Sequence, residues 1–278
     1  VNYFTFDPLA RAVEKAWANK KVLLQPSGEF KTEDVVGWAD SLRKYKLMLD
    51  FDDFNSAHTL DAQKMVVSEL FQGADPDWVA WCVSSFDSMW IMDIDGTRKR
   101  AAGTLMSGHR CTSMINSILN GAYMRLALGG DYHKWWTRHV GDDIIMSTDN
   151  AGAVDSTLDK VLACGLRFKR EKQGFGTVCG EFLRMSFNKK QGVGYFPRAV
   201  ASAVSGSWVT LKRLDEKEYR ESVTQLMWTL RQRGGARTTN RLLVSTVVRR
   251  LGLERNVAKM LCEQEVSIDC SPVIGNHG

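Results

Sequence analysis

No stretch of about eighteen consecutive apolar residues occurs in this 278-residue chain, so it offers no candidate membrane-spanning helix. Neither a CxxC pair nor histidine at zinc spacing accompanies the six cysteines, Cys82, Cys111, Cys164, Cys179, Cys262 and Cys270. That excludes a recognisable disulfide framework or zinc site and favours reduced thiols in a cytoplasmic protein. Internal repeats and low-complexity linkers are also missing. The opening Val1-Asn2-Tyr3-Phe4-Thr5-Phe6 has no initiator methionine and no basic leader ahead of an apolar run, so the sequence reads as an internal fragment.

What is present is ordinary globular material, 44% hydrophobic and 25% charged, long enough for one large domain or two modest ones. The formal net charge of +5 is unevenly spread. Between Ser207 and Lys259 twelve basic residues face five acidic ones, a local net of +7, which leaves −2 for the rest. A basic C-terminal part beside an acidic centre suits a polyanion held near metal-binding carboxylates; solvated helix faces are the structural alternative. The nine tryptophans read as core and groove material, with no stacking role for any one.

Periodicity places helices at Leu9–Asn19, from about Leu60 to Phe71, at Asp77–Ser85 and from about Arg110 to Leu128, with another over Ala153–Cys164. A break is expected at Pro26-Ser27-Gly28. Lys46–Phe51 is an apolar run of strand length, and short strands are expected at Glu181–Phe187 and Val193–Phe196. Asp95-Gly96, between Ser88–Ile94 and Thr97–Ala101, predicts a hairpin with a type I′ turn. From Asp215 the pattern is helical, with candidates at Asp215–Arg231, Thr239–Arg250 and Arg255–Cys262, and a domain boundary is expected near Gly206.

Gly141-Asp142-Asp143 joins two β-prone flanks, Thr137–Val140 and Ile144–Met146. Adjacent carboxylates at a tight turn repel each other and call for a counter-ion or a function. By composition such a triplet arises by chance in roughly one chain of this length in twenty. It gains weight from Asp50, which ends the Lys46–Leu49 run 92 residues earlier. Carboxylates gathered at strand ends can hold divalent ions for nucleotidyl transfer. Asp52 and Asp53 follow Asp50 closely, but strand alternation points the adjacent residue away.

A second constellation is Gly103–Asn116. Ser107-Gly108 makes a flexible loop ahead of a helix, and Thr112 and Asn116 share one helical face, where a hydroxyl and an amide can bind a ribose or a residue that gates it. The alternative is helix N-capping by Ser107 with satisfied surface polar groups. His58, His109, His133 and His139 read as structural or surface residues rather than ligands.

These three blocks resemble motifs A, B and C of viral RNA-dependent RNA polymerases. The wording Asp50-Phe51-Asp52-Asp53-Phe54-Asn55-Ser56-Ala57-His58, Gly180-Glu181-Phe182-Leu183-Arg184 and Ala201–Trp208 is most similar to the totivirus-type enzymes of double-stranded RNA viruses. The resemblance implies that Asp50 and Asp142 are the principal metal ligands, with Asp143 in support, for two Mg²⁺ ions that Mn²⁺ can replace. It implies that Asn55, with Ser107, Gly108, Thr112 and Asn116, senses the 2′-hydroxyl of the incoming nucleotide; reverse transcriptases place a bulky aromatic there. Lys172, in Lys169-Arg170-Glu171-Lys172-Gln173, matches the motif D lysine that protonates leaving pyrophosphate, with Lys169 as competitor and a solvated basic loop as the alternative for both. The strands around Glu181–Phe196 match motif E, where Arg184 and Arg198 would touch RNA or pair with local acids.

The fold so implied is α+β: a right-hand polymerase palm, an antiparallel sheet packed on helices, over residues 1–206. Inserted fingers elements would occupy about 60–105, and a partial helical, basic thumb 207–278. RNA-directed RNA polymerase activity follows, with template and nascent RNA, NTPs and a viral capsid protein as partners, no membrane, and a location in the host cytoplasm within the virion. The rival is a non-catalytic RNA-binding remnant of an integrated viral polymerase. One departure stands out: nothing before Asp50, where Arg11, Lys15, Lys20 and Lys21 are the basic residues, matches the family's triphosphate-binding fingertip motif. The fragment alone is therefore expected to have little activity.

Overall fold

Alternation of apolar residues through Tyr45–Leu49 (β1) gives a strand whose Leu47 and Leu49 point to one face and whose Lys46 and Met48 point to the other. The computed structural model describes residues 2–24, 30, 32–101, 103–189 and 191–205, parts of 215–241 and residues 243–263. Within it β1 is a central strand. Trp136–Val140 (β4) and Asp143–Thr148 (β5) form a hairpin, Gly174–Gly176 (β6) lies on the far side, and the order is β4-β5-β1-β6. Every pairing for which the register is resolved, β1 with β5 and β6 and β4 with β5, is antiparallel. Leu47, Leu49, Ile144 and Met146 face the helices Thr112–Leu128 (α5) and Gly152–Ala163 (α6) in a core with Phe51, Phe54, Met124, Leu128 and Val161. Gly121 on α5 has no room for a side chain: a Cβ there would come within 2.5 Å of Val22.

A second core gathers the elements before and after Asp50. Asn2–Ala16 (α1), Leu60–Phe71 (α3) and Pro76–Ser85 (α4) pack Phe6, Val67, Phe71, Cys82 and Phe86 against Leu105, Cys111 and Ile115. The ends of α3 and α4 follow their capping chemistry. Thr59 accepts from the Ala62 N–H at 3.2 Å, and Asp75 accepts from the Trp78 N–H at 3.0 Å with Pro76 in the first turn.

Some expectations are corrected. The first helix starts at Asn2 rather than Leu9 and takes in Pro8, because buried Phe6, edge-on to Phe86, extends its apolar stripe upstream. A helix at Thr32–Ser41 (α2) and another at Phe196–Ser205 (α7) have no boundaries in the sequence pattern; the latter replaces the end of the expected Val193–Phe196 strand. Trp90–Met92 (β2) and Arg98–Arg100 (β3) form the hairpin predicted around Asp95-Gly96, but its turn is not type I′. Only Gly96 has positive φ (+84°), and Asp93 N–H bonds the Thr97 carbonyl at 2.9 Å, which leaves a three-residue loop closed by a left-handed glycine.

The chain divides into two units, residues 1–183 with 187–192, and residues 184–186 with 193–278. Short strands at Gly180–Phe182 (β7), Met185–Phe187 (β8) and Gly192–Gly194 (β9) lie where the chain changes unit. The second unit has its own core of Ala199, Met227, Leu230, Val244, Val247, Ala258 and Cys262. Its described helices include Val244–Leu251 (α8) and Arg255–Glu263 (α9), which meet two of the three helical expectations after Asp215 in part. Gly206 and the Pro26-Ser27-Gly28 break lie outside the described residues. Five of the six cysteines are described, and all five are free thiols.

Candidate active site

Strand register builds the centre. Leu49, the last residue of β1, pairs with Ile144, so Asp50 follows directly at the strand end where β5 begins with Asp143. Alternation then carries both onto the sheet face of Met48 and Ile145, away from the α5 and α6 core. Val140 pairs with Asp143, so Gly141 and Asp142 alone form the hairpin turn. Gly141 has φ +59° and Asp142 is not in the left-handed region, the type II′ pattern that wants glycine first. Asp142 is exposed at the tip; Asp143 begins β5 and is half-buried.

The turn is suspended from α5. The Gly141 N–H donates to Ser117 Oγ at 2.7 Å, and Asn120 Nδ2 donates to the carbonyls of Gly141 (3.0 Å) and Asp143 (3.4 Å). Asn120 Oδ1 accepts from His139 Nδ1 at 2.9 Å, which leaves His139 Nε2 to accept from the Tyr132 hydroxyl at 3.1 Å. Burial, aided by Lys21 and Arg138, pushes His139 down to about 3, so it is neutral in this tautomer at ordinary pH.

The same helix reaches the Asn55 segment. Asn116 Nδ2 donates to Asn55 Oδ1 at 2.9 Å, and Asn116 Oδ1 meets His58 Nε2 at 2.8 Å. His58 is fully buried, and desolvation lowers its pKa, so it is neutral. A neutral ring that donates from Nε2 must accept at Nδ1, where the Tyr123 hydroxyl lies at 3.2 Å. The direction of donation is thereby set from Tyr123 through His58 and Asn116 to Asn55. Asn55 keeps its Nδ2 donor for whatever approaches its half-buried side.

On the other side of Asp50 stands the Arg170–Lys172 turn. Lys172 Nζ lies 3.2 Å from Asp50 Oδ2, whereas Lys169 Nζ lies 3.7 Å from Asp52. Gln173 clamps the Asp50 backbone, accepting from its N–H at 3.2 Å and donating to its carbonyl at 2.8 Å. The two lysines are thus separated by partner. Asp53 is exposed with φ +46°, and Asp52 is exposed.

Other expected residues take different positions. Thr112 Oγ1 lies 2.7 Å from each of the Met106 and His109 carbonyls, so its hydroxyl fastens the loop before α5. Ser107 does not cap the helix, since Cys111 is at that position without a side-chain bond. Ser107 and Gly108 are exposed and line a cavity of about 510 Å³ with Tyr3, Asp7, Arg11 and Glu14 of α1. Arg110 ties this loop to α1 through Asp7 (2.5 Å) and Glu14 (3.0 Å). In the second unit Arg184 is exposed with φ +63° and its carbonyl accepts from the Tyr195 N–H at 3.1 Å; Arg198 is exposed on α7.

The donor set of Asp50, Asp142 and Asp143 is all carboxylate, the chemistry that hard divalent cations take. Among the described residues, however, no three His, Cys, Asp or Glu side chains gather as a metal site, and the cation at Asp50 is the Lys172 ammonium. The residues fit such an ion by type and by strand position. Ser117, Asn120, His58, Tyr123 and Gln173 were not anticipated as supports. The first two carried a signal: Asn116, Ser117 and Asn120 are buried polar residues in an otherwise apolar helix, and such groups require partners.

Residues 1–208 match the family model described as viral RNA-directed RNA-polymerase. The chain is 40% identical over 224 residues to the probable RNA-directed RNA polymerase of Leishmania RNA virus 1, covering 78% of this chain and 25% of that one. It is 29% identical to that of Helminthosporium victoriae virus-190S, covering 98% and 33%. The chain thus spans a quarter to a third of the length of these relatives. In fold it is similar to the crystal structure of the RNA-dependent RNA polymerase of a human picorbirnavirus, with a TM-score of 0.66 at 15% identity, covering 97% of this chain and 54% of that one.

Proposed function

The chain belongs to the viral RNA-directed RNA polymerases, of totivirus-like kind, and from that premise we propose that the end of β1 and the β4–β5 turn form its nucleotidyl-transfer centre. The observation that supports this reading is the register that pairs Leu49, next to Asp50, with Ile144, next to Asp143 and the Asp142 turn. Asp50 and Asp142, with Asp143 in support, would hold magnesium, or manganese in its place. When bound, two such ions would promote loss of the RNA 3′-hydroxyl proton and neutralise the departing pyrophosphate.

The chain's own residues supply the rest. The 3′-oxygen attacks the α-phosphorus, the bond to the β-phosphate bridging oxygen breaks, and Lys172, next to Asp50, gives that leaving group a proton. Asn55 offers its Nδ2 donor to the ribose 2′-hydroxyl, oriented through Asn116 and His58. Thr112 and Arg110 hold the Ser107-Gly108 loop, which completes the sugar side of the site. Arg184 and Arg198 contact RNA. NTPs and RNA are the substrates, in the host cytoplasm within a viral particle and beside its capsid protein. Among the described residues no helix is long and apolar enough to cross a membrane.

Primer extension on an RNA template tests this, using the polymerase that carries this segment. Asp142→Ala should abolish incorporation of labelled NTP while RNA binding persists. Incorporation at the normal rate in that variant would refute the assignment.

A further inference from the structure

One exposed feature plays no part in that chemistry. The β2–β3 ribbon is rooted in the core by Met89 and Ala101, joined by a 2.9 Å backbone bond, and everything beyond them is solvent-exposed. Its pairs are Trp90 with Arg100, Ile91 with Lys99, and Met92 with Arg98. Alternation puts Trp90, Met92, Arg98 and Arg100 on one face and Ile91 with Lys99 on the other. Trp90 is 60% exposed and Met92 65%. Leaving an indole and its apolar neighbours in water forgoes burial free energy, and such patches mark contact surfaces.

The composition narrows the kind of partner. One strand is apolar and the other is wholly cationic, Arg98-Lys99-Arg100. The nearby acids leave the cationic strand largely uncompensated: Asp93 and Asp95 accept from the Ile94 and Thr97 N–H groups at the tip, at 2.7 and 2.8 Å, and Asp87 at the base lies 2.7 Å from Lys64 and only 3.9 Å from Arg100. An indole beside guanidinium groups on a flat ribbon offers stacking to a base and charge to its phosphates. A duplex hides its base faces, so an unpaired strand is the better match.

We propose that the β2–β3 ribbon is a sequence-tolerant contact for single-stranded RNA, made by Arg98, Lys99 and Arg100 with Trp90 as a stacking platform. It rests on the polymerase reading only for the choice of RNA as the polyanion. The test is anisotropy of a fluorescein-labelled twelve-nucleotide oligouridylate titrated with the 278-residue chain across a salt series. All four residues are on the surface, so the variants should keep the far-UV circular dichroism of the parent. The triple change Arg98→Ala, Lys99→Ala and Arg100→Ala should weaken binding at least tenfold at low salt. It should also lower the slope of log affinity against log salt by about 2, at roughly 0.7 per phosphate contact. Trp90→Ala should weaken binding by about tenfold at all salt concentrations, and Trp90→Phe should restore most of it. Parental affinity in either the triple variant or Trp90→Ala would overturn the proposal, and would leave an acidic protein as the ribbon's occupant. The readout is binding, so its failure leaves the catalytic assignment standing, and failure of the Asp142→Ala test leaves the ribbon standing.

Discussion

Asn120 holds the Gly141 carbonyl at 3.0 Å, so the turn that carries Asp142 hangs from the middle of a buried helix. A two-residue hairpin turn at a sheet edge would otherwise swing with its strands. Through Asn120 and Ser117 it is fixed to the same helix that positions Asn55.

Asn120→Ala should therefore affect both stability and chemistry. It leaves the Gly141 carbonyl and the His139 Nδ1–H without partners, at about 1–3 kcal/mol for each buried group. The urea midpoint of the chain should fall accordingly. At a temperature where the variant polymerase stays folded, nucleotide incorporation should still drop, because the acidic turn is released. Full activity there would show that the turn positions itself.

Lys172 is the motif D lysine by resemblance with Lys169 as its competitor, and their partners differ: Asp50 for the first, Asp52 for the second. Lys172→Ala should lower the single-turnover rate of incorporation by roughly 10²–10⁴, the usual contribution of a general acid. Lys169→Ala should stay within a few-fold of the parent. The reverse order in rapid-quench measurements would exchange their roles.

How much was legible depended on range. β1, the acidic hairpin and most of α3 to α6 followed from apolar period and caps, because those signals are local. The pairing of Asp50 with the Gly141–Asp143 turn could be suspected from residue type, but only the β1–β5 register sets it. Gln173 had no signal at all, since its role is to clamp a backbone reached only after the sheet forms. Thr112 misled for a related reason: its face of α5 was read correctly, yet its hydroxyl is spent on the loop carbonyls. Trp90 ran against the assumption that tryptophans are core, which composition alone cannot correct.

Buried neutral histidines make stability pH-dependent. His139 is held near 3 and His109 near 4 by burial, against an ordinary value near 6.5. Below about 6.5 the unfolded chain binds protons that the folded chain refuses, so stability is complete above that pH and falls as the pH drops. Each such group contributes a slope approaching 1.4 kcal/mol per pH unit. Between pH 7.5 and 5.0 the parent should lose about 2 kcal/mol more than His139→Gln in urea unfolding. Equal losses would mean that His139 titrates normally in the folded chain.

The relay from Tyr123 to Asn55 makes a sharper prediction, because direct and indirect roles differ in their readout. Asn55→Ala removes the donor proposed for the 2′-hydroxyl and should narrow the preference for UTP over its 2′-deoxy counterpart by about 2- to 10-fold, the worth of one neutral hydrogen bond. His58→Phe keeps a ring in the same space but can neither donate to Asn116 nor accept from Tyr123. The Asn116 amide then loses the partner that fixes its orientation, and Asn55 can present oxygen as readily as nitrogen. His58→Phe should therefore narrow the same preference through a change in the ratio of kcat/KM for the two nucleotides, although His58 itself is buried away from substrate. If His58 served packing alone, both nucleotides would slow equally and the ratio would hold. A double variant, Asn55→Ala with His58→Phe, should be no less discriminating than Asn55→Ala alone, since the relay has nothing left to orient.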